Sequence, residues 1–389
     1  MHMELLGRRI HIAGSAGNNT PIDRLHYGHE LIMQLVCALA AEGAVFGVGS
    51  GKEPRLGDDP QAPALHFDWT VMQTAYENRE VQRRTAPFSG RLITTVVTDK
   101  TDRQIPADRR ALWEKLIADD ALDAWHAPEG WYSAAYRRRE LARHCDLVIL
   151  LSGGEGIEQL AYDYAAQGKP VIPLDLDLGA STNDGSGGAA RLAKRMREAP
   201  AQFVGLRDPG AAGGLLLRMA TRQGATPIVD VVRAILDLLH ALTPPSAFFV
   251  RLLNRAVEHF DEVDRYFANV VDPVVHRHGY EPVVMGATEN THAWMNAQIF
   301  ARIAESGLVV VDLTGVRPNC FIELGYALRG DAPVLITTRE GTPSQFDIHA
   351  LEACFWKDGT DDSIRQDEFE SYWKRNLRRP PIVEPREVR

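Results

Sequence analysis

Apolar positions along this chain recur in two periods. Short unbroken runs of aliphatic and β-branched residues alternate with longer stretches that carry an apolar residue at every third or fourth place. The first kind predicts buried parallel strands, and the second predicts helices laid against them. In the first part of the chain, runs at 9–13, 44–48, 92–97, 146–151 and 170–174 predict strands. A helix bearing Leu31, Leu35, Ala38 and Leu39 follows the first run, and further helices are predicted at 134–145, 157–167 and 226–242. Thr243, Pro244, Pro245 and Ser246 then read as a linker. Beyond it, runs at 247–250, 282–285, 309–311, 333–337 and 350–356 predict a second set of strands, with helices at 257–276 and 296–306. A tail helix carries Phe369, Tyr372 and Trp373, placed to pack on a domain or a partner, ahead of an exposed end. Two α/β domains with mainly parallel sheets are therefore expected, at residues 1–243 and 247–389.

Composition narrows the class. With 45% hydrophobic and 24% charged residues over 389 positions, the chain reads as a soluble globular protein. No apolar run approaches the roughly 20 residues that span a bilayer. Residues 1–14 lead straight into a strand without a signal peptide's apolar core, so a cytoplasmic protein without membrane partners is expected. The four cysteines, Cys37, Cys145, Cys320 and Cys354, lack C-x-x-C spacing, so free thiols and no metal are expected. A net charge of −9 argues against nucleic acid as a partner, although the basic run Arg137, Arg138 and Arg139 could hold phosphates.

The richest chemistry lies at residues 309–327. Val309, Val310 and Val311 form a strand ending at Asp312; Gly315 and Pro318 break it, and a helix follows with Phe321, Leu324 and Leu328 as its apolar stripe. Asn319 stands where an N-cap would, and Glu323 lies near the positive end of the helix dipole. Asp312 and Glu323 thus meet at the carboxyl end of a parallel strand, where open α/β sheets bind ligands. Capping and dipole effects alone also favour acids at such places.

The wording of this stretch, with Asp312, Leu313, Thr314, Gly315, Pro318, Asn319, Glu323, Leu324, Gly325 and Ala327 in register, resembles the nucleoside 2-deoxyribosyltransferase-like family, related in fold to TIR domains. The resemblance covers residues 247–356. It implies that Glu323 is the nucleophile or stabiliser at an anomeric carbon, that Asp312 orients ribose hydroxyls or a nucleophile, and that Thr314, Gly315, Asn319 and Phe249 contact substrate. His292 and Trp294 lie in a loop within reach of such a site, and residues 339–347 form a loop that could close over it. Phe260, Asp261, Gly279 and Tyr280 keep the family pattern, whereas Arg251, Leu252, Leu253 and Asn254 replace its usual phosphate- or sugar-facing loop.

In the first half, three strand-to-helix turns carry glycine: Gly14 and Ser15 through Gly17, then residues 47–52, then Ser152, Gly153, Gly154, Glu155 and Gly156. The last opens a helix and suits an anion, because backbone amides there can face phosphate oxygens with no side chain in the way. Gly14 and Ser15, together with Gly153, Gly154 and Gly156 and the later Gly168-Lys169-Pro170, resemble the SLOG superfamily of Rossmann-like nucleotide-binding domains over residues 8–242. Its LOG phosphoribohydrolases carry a Glu where this chain has Leu160, and Glu158, two residues earlier, is rotated by about 200° from that place. The resemblance with its acid missing implies a signal-nucleotide sensor using Gly14, Ser15, Gly153, Gly154 and Gly156. Residues 179–188 read as a lid or a disordered insertion.

Together the two resemblances imply two Rossmann-like or flavodoxin-like domains, a nucleotide-sensing domain ahead of an effector, as in bacterial defence proteins. The implied activity is a signal-controlled N-glycosidase, with NAD first among substrates, no cofactor, and a homo-oligomer. A metabolic nucleoside transferase, a LOG-type phosphoribohydrolase in the first domain and a non-catalytic nucleotide-binding protein are the alternatives.

Overall fold

The computed structural model describes residues 5, 7–58, 62–81, 91–176, 178, 188–208, 210, 212–218, 226–284, 295–330, 332–343 and 351–376. The chain divides into two compact units, Met1–Thr243 and Pro244–Arg389. Each unit is a wholly parallel sheet with helices on both faces.

The first unit holds β1 (Arg9–Ser15), β2 (Val45–Gly47), β3 (Ile93–Val97), β4 (Leu122–His126), β5 (Leu147–Ser152) and β6 (Val171–Leu174), in the spatial order β4-β3-β2-β1-β5-β6. One sheet face packs Ile10, Ile12, Phe46, Ile149 and Leu151 against the helices Ile22–Ala41, Asp68–Glu77 and Ile228–Ala241. The other packs Ala13, Val96, Val148 and Leu150 against Ser133–His144, Glu155–Ala165 and Gly188–Glu198. Burial on both faces is why the central strands read as unbroken apolar runs. Edge strand β4 reads LDAWH with only Leu122 buried, so its pattern is weak and it escapes the sequence reading. The helices Asp68–Glu77 and Ala107–Ala118 escape it as well. Within the glycine-rich stretch, a helix begins at Gly188, while 179–187 lie outside the described residues.

The second unit holds β7 (Ser246–Val250), β8 (Glu281–Val284), β9 (Leu308–Asp312), β10 (Val334–Arg339) and β11 (Cys354–Trp356), ordered β11-β10-β9-β7-β8. Counted within the unit this is 2-1-3-4-5, the flavodoxin-like order. Phe249, Val310 and Leu335 pack on Tyr266, Trp356, Phe369 and Trp373, while Phe248, Val250, Val309 and Val311 pack on Cys320, Leu324 and Ile303. The predicted helix at 257–276 is realised as Phe260–Tyr266, a π-turn at Phe267–Val271, and Asp272–Arg277 with Pro273 in its first turn. Proline offers no N–H to the preceding turn, and the wider turn accommodates that loss. The tail helix, Asp362–Asn376, closes over its own unit: Phe369, Tyr372 and Trp373 are buried, and the Tyr372 hydroxyl donates to Glu352 O at 2.9 Å while accepting from Ile336 N at 3.0 Å.

Because Trp373 is 1% exposed and stacks on His278 with ring centroids 4.6 Å apart, Trp373→Ala leaves a large cavity. Equilibrium urea unfolding is expected to show a loss of about 3–5 kcal/mol.

Candidate functional site

In each unit the strand order reverses direction at one place, between β1 and β5 in the first and between β7 and β9 in the second. Chains leaving such neighbours at their carboxyl ends diverge and open a crevice.

In the second unit the crevice is framed by the loops after β7 and β9. Gly315 has φ +78° and is followed by Val316 at φ +51°, a left-handed pair that turns the chain sharply toward the helix Pro318–Arg329. A β-branched residue in that region is uncommon, so the turn is held in place by its surroundings. The holding group is Asp312. Its side chain accepts from Thr314 N at 3.0 Å, Thr337 Oγ1 at 2.8 Å and Trp356 Nε1 at 3.1 Å. Thr314 Oγ1 in turn accepts from Arg339 N at 2.9 Å, and the Arg339 guanidinium pairs with Glu262 at 2.8 Å. Burial raises the Asp312 carboxyl above the ordinary carboxylate range, against the pull of its three donors. Asp312 is fully buried, and its carboxylate is spent on these three protein donors.

Glu323 stands in a different setting. It lies on the Pro318 helix, half-buried, and its carboxylate has no hydrogen-bond or ion-pair partner among the described residues. Burial alone pushes it up to about 7. Cys320, one turn earlier, is pushed to about 12 by burial with Glu323 and Asp312 adding to the rise, which brings both acids close to one thiol. A half-buried carboxyl pushed up to about 7, on the helix that follows switch-point strand β9, can serve as nucleophile, electrostatic stabiliser or acid.

Other expected contacts are placed differently. Asn319 is not the N-cap: Arg317 holds that position without a side-chain cap bond, Pro318 takes the first turn, and Asn319 is exposed on the helix. Proline's fixed φ suits the first helical position, which puts the cap on Arg317, two residues before Asn319. Phe249 is 3% exposed and meets Phe267 edge-on at 5.1 Å, so it serves the core and not a ligand. Thr314, 1% exposed, is enclosed in the Asp312 network, whereas Gly315 is exposed. His292, Trp294 and residues 344–347 of the loop after β10 lie outside the described residues.

In the first unit, β1 and β5 pair as far as Gly14 opposite Leu151 and Ser15 opposite Ser152. A side-chain carbon on Gly14 would stand 1.9 Å from Leu151 O, so this glycine serves strand approach more than ligand approach. Gly153, at φ +74°, donates to Ser15 O at 2.9 Å and accepts from Gly188 N at 2.7 Å. Gly154 caps the Glu155–Ala165 helix with no side-chain bond, and first-turn amides have no partner within a helix. Arg138 Nη1 stands 3.6 Å from the place of a side-chain carbon on Gly156. Glycine amides and a guanidinium therefore share one helix start, an arrangement that suits an anion. Two acids share that first turn, Glu155, which is exposed, and Glu158, which accepts from Arg191 Nε at 2.8 Å, while Leu160 is 2% exposed.

Residues 5–239, which span the glycine turns and all of this sheet, match the family described as ATP nucleosidase Cap17-like, N-terminal. The chain belongs to the Cap17-like family. Two curated proteins named ATP nucleosidase Cap17, one from Escherichia coli strain KTE188 and one from Escherichia coli, are each 23% identical to it over 176 residues. These matches cover 45% of this chain and 34% of each relative, so the chain spans about a third of the length of the curated relatives it matches. The X-ray structure of TM1055, a structural genomics target, is 17% identical over 53% of this chain and 88% of its own, with a TM-score of 0.31. The Cap17-like match lies wholly within the first unit.

The partners of Asp312 were hidden from the sequence, because Thr337 and Trp356 reach it only through the parallel register that sets Thr337 beside Asp312 and Cys354 beside Thr337. Arg138 was visible in a basic run, but its place beside Gly156 depends on how two helices pack. Thr337 and Trp356 share Asp312 Oδ2 and Thr314 N holds Oδ1, so Asp312→Asn turns an amide nitrogen that cannot accept toward one side or the other. Thermal unfolding is expected to report a loss of about 1–3 kcal/mol, with Thr337→Val partly relieving it by removing the competing donor.

Proposed function

We propose that this protein is a nucleotide N-glycosidase, with Glu323 as the carboxylate that works at the anomeric carbon and the first unit as a nucleotide-binding domain. The observation that supports this most is the contrast between the two acids at the β9 crevice: Asp312 is buried and used by three protein donors, whereas Glu323 is half-buried and unpartnered among the described residues. As the glycosidic bond to the base breaks, positive charge builds on C1′ and the ring oxygen. An ionised Glu323 placed beneath that carbon stabilises the charge or adds to it, the base leaves with its bonding pair, and water completes hydrolysis. Asp312 acts through the Thr314 and Gly315 turn as a positioning residue.

For substrate we infer an adenine nucleotide, NAD or ATP. NAD follows from the resemblance of the second unit to TIR-like effectors, and ATP from the relatives named ATP nucleosidase. The family match falls on the first unit, yet there the acid position is Leu160 and Glu158 is engaged with Arg191, which favours binding over hydrolysis in that unit. A signal nucleotide held by the Gly153, Gly154 and Gly156 turn would then control the Glu323 site through assembly of a homo-oligomer, in a role in defence. Such a switch needs differential affinity, and moving 1:99 to 99:1 takes about 5.5 kcal/mol.

Incubation of the full chain with ATP, NAD and nucleosides, followed by mass spectrometry, is expected to show release of free base. Glu323→Gln is expected to lower that release about 100-fold or more while leaving the fold and nucleotide binding intact. Since the ionised form does the work, the rate should climb as pH rises through about 7, the value to which burial pushes Glu323; a rate that falls across the same range would make Glu323 an acid.

Gly154→Asp tests the control scheme. Gly154 is the N-cap, with φ −121° and ψ −145°, and an aspartate there sets its charge against a phosphate at the helix start. Titration with ATP is expected to show binding weakened about tenfold and activation lost; a variant that responds like the parent protein rules the scheme out.

A further inference from the structure

The glycine turn that follows β2 lies at the carboxyl edge of the first sheet, and its glycines meet different neighbours. A side-chain carbon on Gly47 would stand 2.3 Å from Cys145 Sγ, so that glycine serves packing. Gly51, at φ +121°, bends the chain, and its carbonyl accepts from Trp69 Nε1 at 3.2 Å. The Ser50 carbonyl accepts from Arg137 Nη2 at 3.3 Å. These two bonds hold the turn in place. Gly49 faces a carboxylate: a side-chain carbon there would stand 3.0 Å from Asp68 Oδ2 and 3.2 Å from Oδ1.

Asp68 begins the Asp68–Glu77 helix, where an acid ordinarily serves the helix dipole. The segment before it is drawn to β1, since Ser15 bridges to His66 and Ala16 N donates to Leu65 O at 2.8 Å. Asp68 is thereby set against the turn after β2, where it accepts from the Gly49 amide. Burial raises its carboxyl above the ordinary range and Glu53 adds to the rise, while His66, Arg137 and the Gly49 amide pull it down. Glu53 itself is spent on Arg55 and Arg109 at 3.0 and 2.9 Å. No side chain among the described residues donates to Asp68, which is half-buried, so a ligand can reach the acceptor sites it has left. In the turn it faces, Ser50 is 9% exposed and its hydroxyl has no partner among the described residues.

An open acceptor and an unused donor thus meet beside a guanidinium. A phosphate would be opposed by Asp68, and an ammonium by Arg137. Two neighbouring hydroxyls carry no charge and both donate and accept, so they suit all three groups. We propose that Asp68 and Ser50 form a ribose site in the first unit, Asp68 accepting from the 2′- and 3′-hydroxyls of a nucleotide and Ser50 donating to one of them. Arg137 holds the turn and keeps Asp68 ionised. This rests on the reading of the first unit as a nucleotide-binding domain and deepens it, since the signal is then a ribonucleotide and not a deoxyribonucleotide.

Calorimetric titration of the full chain carrying Glu323→Gln, which keeps the nucleotide whole, compares ATP with 2′,3′-dideoxy-ATP. ATP is expected to bind about tenfold tighter or more. Adding Asp68→Asn should weaken ATP about tenfold and leave the dideoxy compound unchanged. Ser50→Ala, which breaks no side-chain bond among the described residues, should narrow the preference as well and serves as the test if Asp68→Asn does not fold. Equal binding of the two nucleotides before either change overturns the site. So does an Asp68→Asn chain that melts like its parent yet keeps the preference, or loses both nucleotides alike. In those cases nucleotide binding by this unit still stands if Gly154→Asp weakens ATP. If the chain binds neither nucleotide, or if neither Gly154→Asp nor Asp68→Asn alters ATP binding, the nucleotide reading of the unit falls and this proposal with it.

Discussion

A carboxylate with no exposure at the end of a central strand must find its donors inside the protein, and in the second unit Asp312 draws three elements together to do so. Thr337 comes from the neighbouring strand, Trp356 from the sheet edge and the Thr314 amide from the turn that follows. The left-handed pair Gly315 and Val316 is held by this network, and the start of the Pro318 helix follows from the turn. Glu323, one and a half turns further on, therefore stands where it does because a different acid is fully occupied.

This division of labour separates two acids that look alike on paper. Burial raises both, but Asp312 is surrounded by donors and Glu323 is not. A satisfied buried carboxylate is a structural group, whereas an unsatisfied half-buried one near neutrality retains the capacity for chemistry. The first unit shows the converse. Its glycine turn and Arg138 meet at one helix start, where Glu158 is engaged with Arg191 and Leu160 is a buried apolar side chain.

The two units share an architecture. Both are parallel sheets with a single reversal of strand order, so both open a crevice at the carboxyl edge. Side chains at the crevice decide the use. One crevice carries glycine amides and arginine, the other a strained turn and Glu323, and the Cap17-like match falls on the first unit.

By itself the sequence determined the α/β class, the linker before Ser246 and the strands of both sheet centres, because a strand buried on two faces has to be apolar throughout. It also singled out Asp312, Glu323 and the Gly153 to Gly156 turn, since breakers and acids at strand ends are local signals. Edge strand β4, half exposed and bearing a polar pattern, left no such signal. Only the tertiary structure decided that Phe249 faces the core, that Arg317 and not Asn319 caps its helix, and that Asp312 is bound by Thr337 and Trp356. Strand register sets those last partners, and helix packing brings Arg138 to Gly156; neither is encoded within a window of neighbouring residues.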